Sequence, residues 1–185
     1  VTPVSASYTR TAVALHWILA ILLVAMIAIG LYMTDLPRNT PERSFFFNLH
    51  KSLGLLVAAI ILVRIAWRLR FKPPDLERVA PQWHAAAAKV SHGLLYGCML
   101  FMPLTGYLGS SFNKYGVKFF GLPLPKWAPV NPELHEIFTT AHHWIASLFI
   151  TLIAIHVVAA LYHAVRRDRI FSRMWFGAAR RQSTG

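Results

Sequence analysis

Three long stretches without a charged side chain decide most of what this chain can become. Residues 11–34 run for 24 positions without Asp, Glu, Lys or Arg, residues 90–113 for another 24, and residues 137–165 for 29. About 20 mostly apolar residues cross the hydrocarbon of a bilayer as a helix, so each stretch predicts one span. A fourth stretch, residues 52–63, has only 12 uncharged positions. It reaches spanning length if the helix runs over about 45–67 and takes Lys51 and Arg64 inside its ends. Ionisable groups within a span are costly and usually functional, which makes these two residues candidates. Apolar residues make up 56% of the chain and charged ones 14%, against roughly 25% charged in a soluble domain. That excludes a disordered chain and disfavours a soluble one. The expectation is an all-α membrane protein of one domain, residues 1–185, folded as a four-transmembrane-helix bundle with approximate spans 11–34, 45–67, 88–112 and 137–165.

The net charge of +12 would suggest nucleic acid in a soluble protein. Here the basic residues flank the apolar runs, where they set orientation, and no nucleic-acid partner is expected. The N-terminal segment, the 64–89 region and the tail hold 13 Lys and Arg, while the loops at 34–51 and 113–136 hold six. The positive-inside rule then places both termini in the cytoplasm, with Arg166-Arg167-Asp168-Arg169 as the strongest stop signal. The loop carrying Pro123, Pro125, Pro129 and Pro132 falls outside, with Trp127 at the bilayer surface. The first run is too long for a signal-peptide core and reads as a retained helix. A single cysteine, Cys98, excludes a disulfide framework and a thiolate cluster within one chain.

Nine histidines carry the functional information. Residues 14 apart on a helix turn through about 1400°, return to within about 40° of one face and rise about 21 Å. His142 and His156 have that spacing, whereas His143 falls nearly opposite His156. Chain direction gives each a partner at its own depth: His16 with His156 on the inner side, and His50 with His142 on the outer side. Two imidazoles facing across a gap suit a hexacoordinate haem iron, so each pair predicts one haem. The residue four positions after each histidine is small (Ala20, Gly54, Ala146 and Ala160), which leaves room for a haem plate. Tyr96 stands at that offset from His92 and argues against His92 as a ligand. Gly30, 14 after His16, is a second clearance candidate beside Gly54. Arg64, 14 after His50, is a candidate partner for a propionate of the inner haem. His163, Lys89 and His92 could line a polar pocket near the inner surface, where a proton-exchanging histidine suits a quinone head group. His84 and His135 read as loop or interface residues. The competing reading is a haem-free metal transporter or scaffold, with the histidines as interfacial anchors or separate metal ligands.

The motifs also resemble a known family. Tyr8-Thr9-Arg10 with Leu15-His16-Trp17, and Leu49-His50-Lys51-Ser52-Leu53-Gly54 with Val63-Arg64, are similar to the first two helices of the bacterial cytochrome b561 family. Ser91-His92-Gly93, Met102-Pro103-Leu104-Thr105-Gly106, the His142-to-His156 spacing and Ala159-Ala160-Leu161-Tyr162-His163 extend the likeness from about Tyr8 to Met174. Lys89 stands where some members carry a further histidine. The resemblance implies a multi-pass cytochrome of the bacterial inner membrane with two haem b, ligated by His16, His50, His142 and His156. For the short members it implies superoxide oxidation at the outer face with ubiquinone as acceptor. Other members serve as quinone-linked subunits for a redox partner protein, which is the alternative. Superoxide is an anion, and Lys51, Lys114, Lys118 and Lys126 are the candidates to steer it. The outer side holds six basic and four acidic residues, so any attraction is local.

Overall fold

The computed structural model describes residues 8–71 and 82–166. Four helices follow in chain order: α1 (Arg10–Asp35), α2 (Pro41–Arg70), α3 (Gln82–Ser111) and α4 (Pro132–Val165), with a short hairpin of β1 (Lys118–Phe119) and β2 (Leu122–Pro123) before α4. Their starts have local causes. The Thr9 hydroxyl accepts from the Ala12 N–H at 3.2 Å, that of Thr40 from Arg43 N–H at 3.2 Å, and the side-chain amide oxygen of Asn131 from Leu134 N–H at 3.0 Å. Each satisfies a backbone donor that a helix leaves open. Pro41 and Pro132 occupy the first helical position, where a missing N–H costs nothing.

The helices are longer than the expected spans because the chain keeps coiling past the charges that bounded the apolar runs. Thus α2 starts at Pro41 rather than near 45, and α4 at Pro132 rather than 137. His135 accordingly sits in the first turn of α4, and His84 lies within α3, so of the two alternatives, loop or interface, the loop one falls away. The outer end of α1 is closed by Arg43, whose guanidinium donates to the carbonyls of Thr34, at 3.1 Å, and of Leu36.

Three helices, α1, α2 and α4, are long and apolar enough to cross a membrane. The 12-residue uncharged stretch had made α2 look weakest, yet it is α3 that falls short among the described residues. Counting gaps between charges overlooks the Gly, Pro103, Thr105 and Tyr residues that dilute α3, and overweights Lys51 and Arg64, the two charged residues between Arg43 and Arg68 of α2. Ile21, Val24, Leu148, Ile155 and Val158 point outward and exposed, as lipid-facing residues do. The chain is thus a helical membrane protein. The tail signal beyond Arg166, and Lys72 and Arg78 of the 64–89 region, lie outside the described residues.

Packing runs α1 on α2, α2 on α3 and α3 on α4. The core is one apolar layer of Leu19, Val57, Ile61, Leu95, Cys98, Met99 and Phe149, drawn from all four helices. Phe149, only 4% exposed, lies midway in sequence between His142 and His156. The layer therefore separates two polar levels of the bundle.

Candidate functional site

The two levels are built from opposed imidazoles. At the outer one, His50 of α2 and His142 of α4 have ring centroids 6.3 Å apart, with ring planes at 83°. At the inner one, His16 of α1 and His156 of α4 are also 6.3 Å apart, at 72°. With metal–imidazole bonds of about 2 Å and roughly 1 Å more to each ring centre, two imidazoles sharing one metal ion stand about 6 Å apart. Both pairs meet that spacing.

Each ring is held by its own surroundings. Nδ1 of His142 lies 3.0 Å from the Met102 carbonyl and 3.4 Å from the Thr105 hydroxyl. A carbonyl can only accept, so Nδ1 carries the hydrogen and Nε2 keeps its lone pair for a metal. A Cβ on Gly106 of α3 would stand 3.0 Å from Cε1 and 3.1 Å from Nδ1 of this ring. Across the site, a Cβ on Gly30 of α1 would stand 3.2 Å from Cε1 of His50. Both outer rings are thus seated against a glycine of a neighbouring helix. Nδ1 of His50 is buried and has no hydrogen-bond partner among the described residues. Gly54, in contrast, offers its Cβ position to Met26 Cε at an ordinary 3.6 Å.

At the inner level Arg64 ties three elements together. Its guanidinium donates to the Ala12 carbonyl at 3.0 Å and the Tyr96 hydroxyl at 3.2 Å, and stands 3.3 Å from Nδ1 of His16. His92 of α3 lies 5.6 Å, ring to ring, from His156. This places His92 against the inner pair itself; Lys89 sits exposed one turn earlier on α3, and His163 lies in the last turn of α4.

The steering candidates divide. Lys51 is half-buried and its Nζ donates to the Gly116 carbonyl at 3.0 Å, so it anchors the outer loop. Lys126 donates to the Lys114 carbonyl at 2.8 Å, Lys114 lies over the Tyr115 ring at 5.1 Å, and Lys118 is exposed on β1. A residue that sequence reasoning missed, Ser52, is 1% exposed. Its hydroxyl accepts from Phe120 N–H at 2.9 Å and lies 2.8 Å from the Asn48 carbonyl and 3.2 Å from that of Lys118. Lys51 and Ser52 together fasten the loop to α2 beside His50. Ser52→Ala leaves the Phe120 N–H without its acceptor, an expected cost of about 1–3 kcal/mol. Limited proteolysis should then cut the 116–124 loop faster than in the unaltered protein; equal rates would contradict the fastening role. Trp127 is exposed and donates to the Tyr107 hydroxyl at 3.0 Å. His135 joins α4 to the end of α3, with Nδ1 2.7 Å from the Gly109 carbonyl.

Among the described residues no three or more His, Cys, Asp or Glu gather around one point where a bare metal ion would sit. The donor set comes as opposed pairs, suited to the two axial positions of a haem iron.

Known proteins resemble this chain over most of its length. The family model described as prokaryotic cytochrome b561 matches residues 7–177. "Cytochrome b561 homolog 2" of Escherichia coli (strain K12) is 29% identical over 175 residues, covering 90% of this chain and 90% of the relative. "Cytochrome b561 homolog 1" of the same organism is 25% identical over 169 residues, covering 90% and 96%. "Probable superoxide oxidase CybB" of Yersinia pestis is 25% identical over 177 residues, covering 90% and 94%.

Proposed function

The chain belongs to the prokaryotic cytochrome b561 family, and on that premise we propose that it carries electrons from superoxide at the periplasmic face to ubiquinone through two haem b. All four helices cross the inner membrane in this reading, with both termini cytoplasmic, as the 13-to-six division of basic residues favours. The observation that carries the proposal is the pair of imidazole couples, each 6.3 Å across, at two depths of one bundle. His50 and His142 would hold the outer haem, and His16 and His156 the inner one. Haem supplies a one-electron carrier at each level.

The chain's own residues do the rest. Met102 fixes the tautomer and direction of His142, and Gly30 and Gly106 admit the outer rings. A neutral His16 that ligates through Nε2 carries its hydrogen on Nδ1, so Arg64, a donor only, gives up that contact. With haem bound, it would be placed to pair with a propionate carboxylate. The 116–124 loop, tied down by Lys51 and Ser52, covers the outer level, and Lys114, Lys118 and Lys126 supply positive charge around it. Two superoxide ions release two dioxygen molecules and two electrons. Ubiquinone takes those electrons with two protons, for which His92, His163 and Lys89 are the nearest inner candidates.

Purified protein given haem, a superoxide source and a short-chain ubiquinone should form ubiquinol without any other protein. A chain that binds haem yet stays inert until a partner oxidoreductase is supplied would instead be an electron-transfer subunit. The relative named as a probable superoxide oxidase favours the first outcome.

A further inference from the structure

At the inner end a shallow cleft opens between α1, α2 and α3, enclosing about 20 Å³. Tyr8, Arg64, Trp67, Arg68, Phe71 and Tyr96 are among its walls. Arg64 and Arg68 are one turn apart on the same face of α2. The four acidic residues in the described segments, Asp35, Glu42, Glu133 and Glu136, all lie at the other end of the bundle. The two cations of the cleft therefore have no carboxylate partner among the described residues.

The two arginines are not equivalent. Arg64 is engaged within the protein by Ala12, Tyr96 and His16. Arg68 lies over the Tyr96 ring at 5.2 Å, and no hydrogen-bond acceptor among the described residues reaches it. Its planar fork of donors is held in place yet unused, the arrangement that grips an oxyanion through two oxygens. The wall beside it is aromatic: Trp67 and Phe71 have ring centroids 4.5 Å apart, and the Trp67 N–H donates to the Thr9 hydroxyl at 2.9 Å. Rings with an apolar body and a hydrogen-bonded polar edge belong at the depth of lipid headgroups.

We propose that this cleft binds the headgroup of an anionic phospholipid of the inner leaflet, with Arg68 gripping the phosphate. The charge of Arg68, which meets no carboxylate among the described residues, favours a headgroup of net negative charge over a zwitterionic one. The aromatic wall favours a lipid over free phosphate, because it gives the glycerol and first acyl carbons an apolar bed. The assignment rests on the cytoplasmic orientation of this end, and not on the haem reading.

The test is native mass spectrometry of the haem-supplemented protein released from phosphatidylcholine nanodiscs containing phosphatidylglycerol. The unaltered chain should retain phosphatidylglycerol at least tenfold more strongly than phosphatidylcholine. Arg68→Gln should lose that preference with the haem count unchanged, and Arg68→Lys, which keeps the charge but not the fork, should fall between. Equal retention of both lipids, or an Arg68→Gln protein that retains phosphatidylglycerol as before, would overturn the proposal. So would displacement of the lipid by an equal concentration of inorganic phosphate. Loss of a haem in Arg68→Gln would also overturn it, by assigning Arg68 to a propionate. Haem is counted in the same spectra, so failure of the haem reading shows separately from failure of this one.

Discussion

Replacing His142 by alanine is expected to halve the haem content, from one haem for each of the two imidazole couples to one in all. The remaining haem should be the inner one. Its proposed ligands His16 and His156 sit on the far side of the apolar layer around Phe149, His156 about 21 Å along α4 from His142. That layer makes the levels separable, and residues with no shared partners at such a distance contribute independently. His50→Ala should give the same loss, and the double variant no more than either single one. His16→Ala and His156→Ala should remove the other haem. Haem-to-protein ratios for the four single variants check the pairing. A His142→Ala protein that keeps both haems would break it, and so would a double His50/His142 variant that loses both.

Gly106→Val is the second large effect. The position already leaves only 3.0 Å between a Cβ and Cε1 of His142, closer than packed atoms settle. Branching at that Cβ drives the ring off its seat and away from the Met102 carbonyl that sets its tautomer. Overpacking of this kind costs about 1–3 kcal/mol. The loss falls on outer-haem occupancy, expected to drop at least tenfold while the inner haem stays. Gly93→Ala is the matched control: the position is exposed on α3 and its added methyl meets nothing within 4 Å. Removing a helical glycine should even stabilise the chain by about 0.5–1 kcal/mol. Absorption spectra and thermal midpoints of the two variants side by side check both statements. Equal haem loss in the two would show that glycine at 106 has no special role.

These variants also mark where sequence reasoning succeeds and where it stops. His142 and His156 were legible because helical periodicity alone places them on one face at two depths. Chain direction then named His16 and His50 as partners. The early starts of α2 and α4 at Thr40-Pro41 and Asn131-Pro132 went unread, because a count of gaps between charges cannot see a helix that continues past Glu42 or Glu136. Gly106 and Ser52 were not legible by such rules. Their roles arise from the register of α3 against α4 and of the outer loop against α2, which no spacing within one helix encodes. His92 shows the same limit: Tyr96, one turn away on its own helix, says nothing about His156 across the gap. Arg64 stands out as a candidate from its cost in a span, while the grip on Ala12 and Tyr96 required the packed bundle.

The central claim is that this bundle holds two haems, each between two histidines. Its most direct test is a reduced-minus-oxidised absorption spectrum of the purified, haem-supplemented protein, with haem counted against chain. The expected result is two low-spin haem b per chain, with no high-spin component, as two histidine ligands to each iron require. One haem per chain, a high-spin spectrum, or a folded protein that takes up no haem would contradict it.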